Sequence, residues 1–291
     1  MTQNSIPNLV CYFARHGERI DHIDSTWTDT TSTPYDPPLS KEGFLQAKAT
    51  GVHLADVEHR FTEKTACENI STEVHFITSP FIRCVQTALC IASGLTQQNR
   101  KLHSNEKASR LPPVKYTLNI EPGVGEWMSS DYAFIEQATS EIATTRKTEL
   151  RKGFQEVVEK EELGELPLKV NWEYEPARTE LASFPETFGE MCRRIQGTFE
   201  KIVSRVVSNT NSTAFPSVNN SSTRTILIFV THGAVIKPLL FYTIHKYALP
   251  NIHYCCLSRV HVDEIVDSED TENQANTLSW KADLIVTTSH L

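Results

Sequence analysis

The stretch Thr225-Ile-Leu-Ile-Phe-Val230 is a continuous run of branched and aromatic residues that ends abruptly at the tripeptide Thr231-His232-Gly233. The segment Leu9 to Ala14, with the sequence LVCYFA, has the same character and ends at Arg15-His16-Gly17. Apolar runs of this kind are typical of strands that are buried on both faces of a sheet. We therefore predict two buried strands, each followed directly by a histidine.

Further strand and helix patterns alternate along the chain, as in a parallel sheet covered by helices. We predict other strands at Val74 to Thr78, Lys115 to Leu118, Tyr254 to Val262 and Leu278 to Val286. We predict helices from a Ser40 cap to about Val57, from Pro80 at the first helical position, from Pro185 to about Val206 and from Ala234 to about Tyr247. The predicted fold is α/β, a layered α/β/α arrangement with a mainly parallel central sheet and a helical cap insertion.

The domain organisation follows from shifts in composition along the 291 residues. Residues 129–184 are charged and helix-prone, and we interpret them as a cap inserted over the core. Residues 208–223 are rich in Ser, Thr and Asn, which predicts a low-complexity surface loop. We predict a single domain over residues 1–291 that contains both features.

Charge and cysteine usage exclude several classes of protein. The chain carries 28 Lys and Arg against 36 Asp and Glu, a net charge of -8, so direct nucleic-acid binding is not expected. The seven cysteines form no Cys-x-x-Cys repeat, and we interpret them as reduced thiols. The apolar run at Leu9 is too short to span a membrane or to form a signal-peptide core. We therefore predict a cytoplasmic or nuclear location and no membrane association.

Five side chains with complementary chemistry stand at the predicted strand ends or on the glycine-rich loop Glu121-Pro-Gly-Val-Gly-Glu-Trp127. These candidate site residues are Arg15, His16, Arg83, Glu126 and His232. Phosphoryl transfer through a covalent intermediate requires a neutral nitrogen nucleophile, cations around the phosphoryl oxygens and a proton donor for the leaving alcohol. The five residues include each of these types. Each alone is more often structural, so the hypothesis depends on their occurring together.

The motifs around these residues resemble the histidine phosphatase, or phosphoglycerate mutase-like, superfamily. The matching segments, in order, are Arg15-His16-Gly17-Glu18, Ser79-Pro80 with Arg83 and Gln86-Thr87-Ala88, Glu126-Trp127, and Thr231-His232-Gly233. Supporting matches are Leu39-Ser40 with Gly43 and Gln46-Ala47, and Glu186-Thr187 with Arg194. The resemblance extends over almost the whole chain.

Two subgroups of the superfamily show finer similarities. The segments His16-Gly-Glu-Arg19-Ile-Asp21 and Tyr35-Asp-Pro-Pro-Leu-Ser40 look most like the phosphatase domains of the suppressor of T-cell receptor signalling proteins, which implies a tyrosine phosphatase. The Glu121 to Trp127 loop also resembles the phosphatase-like subunit of yeast transcription factor IIIC, which implies a place in a nuclear assembly. A mutase is less expected, because Arg19 stands where many mutases carry a small hydroxyl residue.

The resemblance implies a role for each site residue. His16 is the nucleophile, Arg15, Arg83 and His232 bind phosphoryl oxygens, and Glu126 is the general acid. Arg19 is either a further phosphate ligand or a member of an ion pair with Glu18 or Asp21. The family uses no metal or cofactor, and we interpret Asp21, His22 and Asp24 as a solvated loop.

Two pKa values follow from these roles as expectations. Burial near Trp127 is expected to raise the pKa of Glu126, so that its carboxyl group is protonated in the free enzyme. The neighbouring arginines are expected to keep His16 unprotonated.

The sequence therefore predicts a metal-independent phosphomonoester hydrolase that acts through a phosphohistidine on His16. The expected partner is a phosphomonoester substrate, either a small molecule or a phosphoprotein, with a protein complex as a further candidate. The alternative is a phosphatase-like interaction module or a subunit of a nuclear transcription complex.

Overall fold

A computed structural model describes residues 9–65, 71–102, 114–139, 141–160, 168–207, 223–246, 249–266 and 277–291. Seven strands in these ranges form one sheet. They are β1 Leu9–Arg15, β2 Ser71–Thr78, β3 Lys115–Ile120, β4 Leu168–Val170, β5 Thr223–Thr231, β6 Leu257–Val266 and β7 Thr277–Thr287. All six strands predicted from the sequence are therefore present, and β4 is an addition.

The strands lie in the order β4-β3-β2-β5-β1-β6-β7. The first five are parallel to one another, whereas β6 and β7 are antiparallel to their neighbours. In register, Arg15 lies opposite Thr231 and Thr78 lies opposite Val230. The carboxyl ends of β1, β5 and β2 therefore meet at one edge of the sheet.

Helices cover both faces of the sheet, which confirms the predicted layered α/β fold. The helices are α1 Lys41–Thr65, α2 Ile82–Leu102, α3 Ile142–Lys160, α4 Phe188–Val207 and α5 Gly233–Ile244. Alternate residues of β1 point to opposite layers, as the two-residue period of a strand requires. Val10, Tyr12 and Ala14 pack with buried residues of α1, α2 and α3, whereas Cys11 and Phe13 pack with those of α4 and α5.

Most helix boundaries lie within three residues of the sequence prediction, but α1 continues to Thr65, about two turns beyond the predicted end near Val57. Ser40 caps α1 as predicted, because its Oγ accepts a hydrogen bond from the Gly43 N–H at 3.0 Å. The helix after Pro80 begins only at Ile82, whose N–H donates to the Asp36 carboxylate at 2.8 Å. Similarly, α4 starts three residues after Pro185, and α5 ends at Ile244 because His245 adopts the left-handed conformation, with φ of 52°.

The segment 129–184 contains α3 and the short strand β4, which pairs with β3 at the edge of the sheet. The segment thus contributes to the core sheet as well as to the helical layer. The cap insertion and the single-domain organisation stay predictions. All but the last residue of the predicted low-complexity loop lie outside the described residues.

Six cysteines lie in the described ranges, and all six are free thiols, as expected. No helix among the described residues is long and apolar enough to cross a membrane.

Candidate active site

The edge where β1, β5 and β2 end brings together four of the predicted residues, Arg15, His16, Arg83 and His232. His16 follows β1 directly, His232 follows β5, and Arg83 lies in the first turn of α2. The rings of His16 and His232 are 5.4 Å apart between centroids. The backbone of His16 is fixed on both sides, because its N–H donates to the Thr231 carbonyl at 2.9 Å and its carbonyl accepts from the Cys255 N–H at 3.2 Å.

The hydrogen bonds of His16 define its tautomer. Its Nδ1 lies 2.8 Å from the Gly17 carbonyl, and because a carbonyl oxygen only accepts, Nδ1 must carry the proton. The lone pair of the ring is therefore on Nε2. Burial lowers the pKa of His16 well below 6.5, and Arg83, His232 and Arg15 lower it further. At neutral pH His16 is an uncharged imidazole, which is the form that can act as a nucleophile.

Arg83 is almost completely buried, with a relative exposure of 1%. One terminal nitrogen of its guanidinium group lies 3.3 Å from Nδ1 of His232 and 3.5 Å from the Glu126 carboxylate. The other is 3.8 Å from the Asp36 carboxylate, beyond hydrogen-bonding distance. Nε and this second terminal nitrogen have no hydrogen-bond partner among the described residues. Buried donors without partners are costly, and an oxyanion would satisfy them.

Arg15 directly precedes His16 in the chain and lines the same cavity. Its guanidinium group stacks on Tyr254, 4.1 Å from the ring centre, and donates to the Ile252 carbonyl at 2.6 Å. Its Nε also has no partner among the described residues. The Nε–H of Arg15 is therefore a buried donor near His16 that is available to an oxyanion.

Arg19 lines the same cavity, but its guanidinium group is held by Asp21 through two hydrogen bonds, one of them from Nε at 2.9 Å. Of the two expectations for Arg19, the structure contains the ion pair with Asp21. The side chain of Asp21 is only 12% exposed and lines the cavity, so the interpretation of Asp21 as solvated was wrong. His22 also lines the cavity at its exposed rim, whereas Asp24 is exposed.

The carboxylate of Glu126 faces His232. Its Oε2 lies 3.0 Å from Nδ1 of His232, and its Oε1 accepts from the Trp127 N–H at 3.0 Å. Burial favours the neutral acid, but His232, Arg83 and the Trp127 N–H outweigh it and lower the pKa of Glu126 to about 2. The expectation of a raised pKa for Glu126 was therefore wrong, because charged and hydrogen-bonding partners of the carboxylate outweigh the effect of burial.

His232 is fully buried, and its Nε2 lies 2.8 Å from the Ser79 hydroxyl. Burial lowers the pKa of His232 to about 4, although Glu126 opposes the effect and Arg83 adds to it. At neutral pH the site thus contains two neutral imidazoles, an ionised carboxylate and at least two guanidinium groups. Its positive charge is suited to an oxyanion.

A cavity of about 650 Å³, lined at its base by Arg15, His16, Arg83 and Glu126, opens to the surface. His232 contacts Arg83 and Glu126 but is not among the residues that line the cavity. The outer wall of the cavity is aromatic: the Trp127 ring contacts Tyr132 and Phe188 at centroid distances of 6.1 and 5.8 Å. Tyr132 is 41% exposed and Phe188 is 54% exposed. The cavity therefore combines a polar, positively charged base with an aromatic patch on its outer wall that could hold the organic part of a substrate.

His16, Glu126 and His232 could also hold a metal ion, since each offers one ligand atom within 4.8 Å of the others. The nearby guanidinium groups of Arg15 and Arg83 would repel a divalent cation in this poorly solvated position. The ligand geometry alone permits a cation, but the charge of the surroundings favours an anion.

Several contact residues of the site have no role in the prediction. Ser79 binds His232, and Thr87 accepts from the Gly17 N–H at 3.0 Å while donating to the Arg83 carbonyl at 2.7 Å. Both occur in the motifs quoted above, so the motif spacing could have identified them. Tyr254 was assigned to a strand that in fact begins at Leu257, and no local signal connects its ring to Arg15.

Comparison with family models identifies the segment that carries the first histidine. Residues 11–104, about a third of the chain, match the histidine phosphatase superfamily, branch 1. The matched segment contains the first two of the four motifs quoted above, those with His16 and Arg83. A search of curated protein sequences finds no match.

One solved structure shares the fold over most of the chain. The ecdysone phosphate phosphatase of Bombyx mori, solved in complex with tungstate, is 16% identical, with a TM-score of 0.52, over 91% of this chain and 95% of that chain. A phosphoglycerate mutase from Bacillus anthracis is also 16% identical, over 87% and 88% of the two chains, at a TM-score of 0.44. The TM-score of the first structure supports a shared fold, whereas that of the second is too low to do so.

Proposed function

We propose that this protein is a metal-independent phosphomonoester hydrolase that forms a phosphohistidine on His16. The observation that carries the proposal is the state of His16, whose Nδ1 is fixed on the Gly17 carbonyl. Its neutral ring lies beside guanidinium donors of Arg15 and Arg83 that have no partner in the described part of the chain. A neutral nitrogen nucleophile next to an oxyanion-binding group is the arrangement that covalent phosphoryl transfer requires.

The first half of the reaction breaks the ester bond. Nε2 of His16 attacks phosphorus while Arg15, Arg83 and His232 bind the phosphoryl oxygens. The bond from phosphorus to the ester oxygen breaks, and the departing oxygen takes a proton from Glu126 to leave as an alcohol. In the second half, water attacks the phosphohistidine, its proton passes to the Glu126 carboxylate, and inorganic phosphate is released with His16 restored.

Glu126 must hold a proton in the first half, although its pKa is about 2 in the free protein. Arg83 and His232 lower that pKa, and both are ligands for the phosphoryl group in this mechanism. A bound phosphoryl group would take over these partners and place negative charge near the carboxylate, and both effects favour the protonated acid. We therefore infer that Glu126 gains its proton together with the substrate.

The finer proposal is that the substrate is a phosphotyrosine side chain. It rests on the resemblance to the suppressor of T-cell receptor signalling phosphatase domains and on the aromatic wall of Trp127, Tyr132 and Phe188. Because Trp127 directly follows Glu126, the group attached to the leaving oxygen lies next to this wall. An aromatic leaving group could stack there.

The interaction-module alternative rests on the resemblance of the Glu121 to Trp127 loop to the transcription factor IIIC subunit. An interaction module does not require an unprotonated His16 or an oxyanion site. The presence of both at one place therefore favours an enzyme over an interaction module. A cytoplasmic or nuclear location and a protein complex stay proposals.

Turnover of p-nitrophenyl phosphate by the purified protein tests the proposed function. The assay contains a chelator and compares the native protein with His16→Ala. We expect chelator-resistant turnover that the substitution abolishes. Equal rates for the two proteins would overturn the enzymatic proposal.

A further inference from the structure

We propose that Arg194 is a positioning residue that holds Glu126 in place for proton transfer. The inference rests on the proposed function, because it assigns a role relative to the general acid. Arg194 lies on α4, outside the cavity, and the residue is only 5% exposed. It therefore acts through the loop that carries Glu126 and not by contact with the substrate.

All five N–H groups of the Arg194 guanidinium are used. One terminal nitrogen donates to the carbonyls of Gly123 at 2.9 Å and Gly125 at 3.1 Å. The other donates to the carbonyl of Glu126 itself at 3.2 Å and to the Glu186 carboxylate at 2.8 Å. Nε donates to the second oxygen of Glu186 at 2.7 Å. Three carbonyls of one loop thus converge on a single side chain.

Glu186 extends the attachment to the other side of Glu126. Its side chain accepts from the Met128 N–H at 3.3 Å, and its carbonyl accepts from Nε1 of Trp127 at 2.9 Å. Its backbone N–H donates to the Met128 carbonyl at 2.8 Å. The backbone on both sides of Glu126 is therefore fixed by the Arg194 and Glu186 pair.

This attachment determines where the carboxylate lies. A general acid must be within about 3 Å of the oxygen that it protonates, and a displacement of about 1 Å can cost about a hundredfold in rate. Within its own loop the side chain of Glu126 accepts only the Trp127 N–H, and its other partners are His232 and Arg83. In the proposed mechanism the phosphoryl group takes over those two partners, so the loop backbone then determines where the carboxyl group lies. The planar fork of an arginine spans the three carbonyls and the carboxylate, whereas lysine offers one nitrogen with three donors.

Arg194→Lys is the variant that tests the inference. We expect turnover of glycerol phosphate, an alkyl ester with a poor leaving group, to fall about a hundredfold. We expect p-nitrophenyl phosphate, whose leaving group needs little protonation, to be cleaved within a few-fold of the native rate. In the double variant Glu126→Gln/Arg194→Lys, the loss on glycerol phosphate should equal that of Glu126→Gln alone, because both act through one proton transfer.

Arg224→Lys is the matched control. Arg224 is 2% exposed and pairs with Glu58, but it lies at the other end of β5 from His232. We expect this variant to change the turnover of both substrates by the same factor. If Arg194→Lys does not fold, Glu186→Gln provides the same comparison, because it weakens the ion pair while keeping the size of the side chain.

Equal losses on both substrates in Arg194→Lys, or additive losses in the double variant, would overturn the inference. If Glu126→Gln lost activity equally on both substrates, Glu126 would not be the general acid, and the inference about Arg194 would fail with it. The two failures can be told apart. If only the role of Arg194 is wrong, Glu126→Gln still slows alkyl esters more than aryl esters, whereas if the role of Glu126 is wrong it does not.

Discussion

The Glu126 carboxylate lies 3.0 Å from Nδ1 of His232, so the candidate acid is in contact with a candidate phosphate ligand. Arg83 approaches the same carboxylate at 3.5 Å. The acid and the phosphoryl group therefore compete for the same two partners. This competition links the protonation of Glu126 to the binding of the substrate.

Oxyanions should bind at the base of the cavity. We expect phosphate or vanadate to inhibit competitively, because Arg15 and Arg83 have buried donors without partners among the described residues. Arg83→Ala should weaken inhibition and reduce turnover by about a hundredfold or more, the cost of losing an oxyanion donor. Arg193→Ala, an exposed arginine on α4, is the control. Unchanged kinetics in Arg83→Ala would show that the phosphate binds elsewhere.

Glu126→Gln should slow alkyl esters far more than activated aryl esters. The amide keeps the size of the side chain but cannot deliver a proton, and general acid catalysis contributes about 10²- to 10⁴-fold. Single-turnover rates on glycerol phosphate and p-nitrophenyl phosphate measure the difference when phosphorylation of His16 is rate-limiting. Equal losses on both substrates would exclude Glu126 as the acid.

The pH dependence should follow the substrate and not the free carboxyl. With a pKa of about 2, Glu126 is ionised at every working pH, so the proton must arrive with the phosphate ester, whose second pKa is about 6. We expect kcat/KM for an alkyl ester to fall about tenfold per pH unit above about 6. His16 is neutral down to a pH well below 6.5, because its pKa is lowered. No loss of activity through its protonation should therefore appear between pH 6 and 7.

A pH–rate profile for a series of esters checks this expectation. The descending limb should move with the second pKa of each alkyl ester and should be weak for an activated aryl ester. A limb at one fixed pH for all esters would instead indicate a titrating group of the free enzyme.

The fold follows from the sequence because the strands carry their own signals. The apolar runs that end at Ala14 and Val230 are buried on both faces. Because parallel strands run in the same direction, their carboxyl ends meet at one edge of the sheet. The same argument brings Arg15, His16, Arg83 and His232 together. These features depend on local patterns and on a topology with few alternatives.

The charge state of the site does not follow from local patterns. The raised pKa expected for Glu126 was based on burial beside its neighbour Trp127. The lowered pKa in the structure depends on His232, which is remote in sequence. The stacking of Tyr254 on Arg15 and the attachment of the Glu126 loop to Arg194 also join distant segments. Such contacts depend on side-chain packing, which spacing along the chain does not define.

Close packing of α1 against α2 should make Gly51 intolerant of a side chain. A Cβ atom at Gly51 would lie 2.1 Å from the Ile91 carbonyl oxygen, a backbone atom that cannot move aside cheaply. We expect Gly51→Ala to lower the free energy of unfolding by about 1–3 kcal/mol. Gly197→Ala on α4 is the control, since nothing lies within 4 Å of its Cβ position, and alanine should be neutral or stabilising there. Urea denaturation measures both variants, and equal midpoints would contradict this account of the contact.

The most direct test of the central claim is to trap the phosphorylated intermediate. The protein is mixed with a phosphate-labelled aryl ester in the presence of chelator, quenched within the first turnover at alkaline pH, and mapped by peptide mass spectrometry. The account predicts a phosphoryl group on His16 that is stable in base, labile in acid, and lost in His16→Ala. Label on another residue, or turnover without any labelled intermediate under conditions in which its breakdown limits the rate, would contradict it.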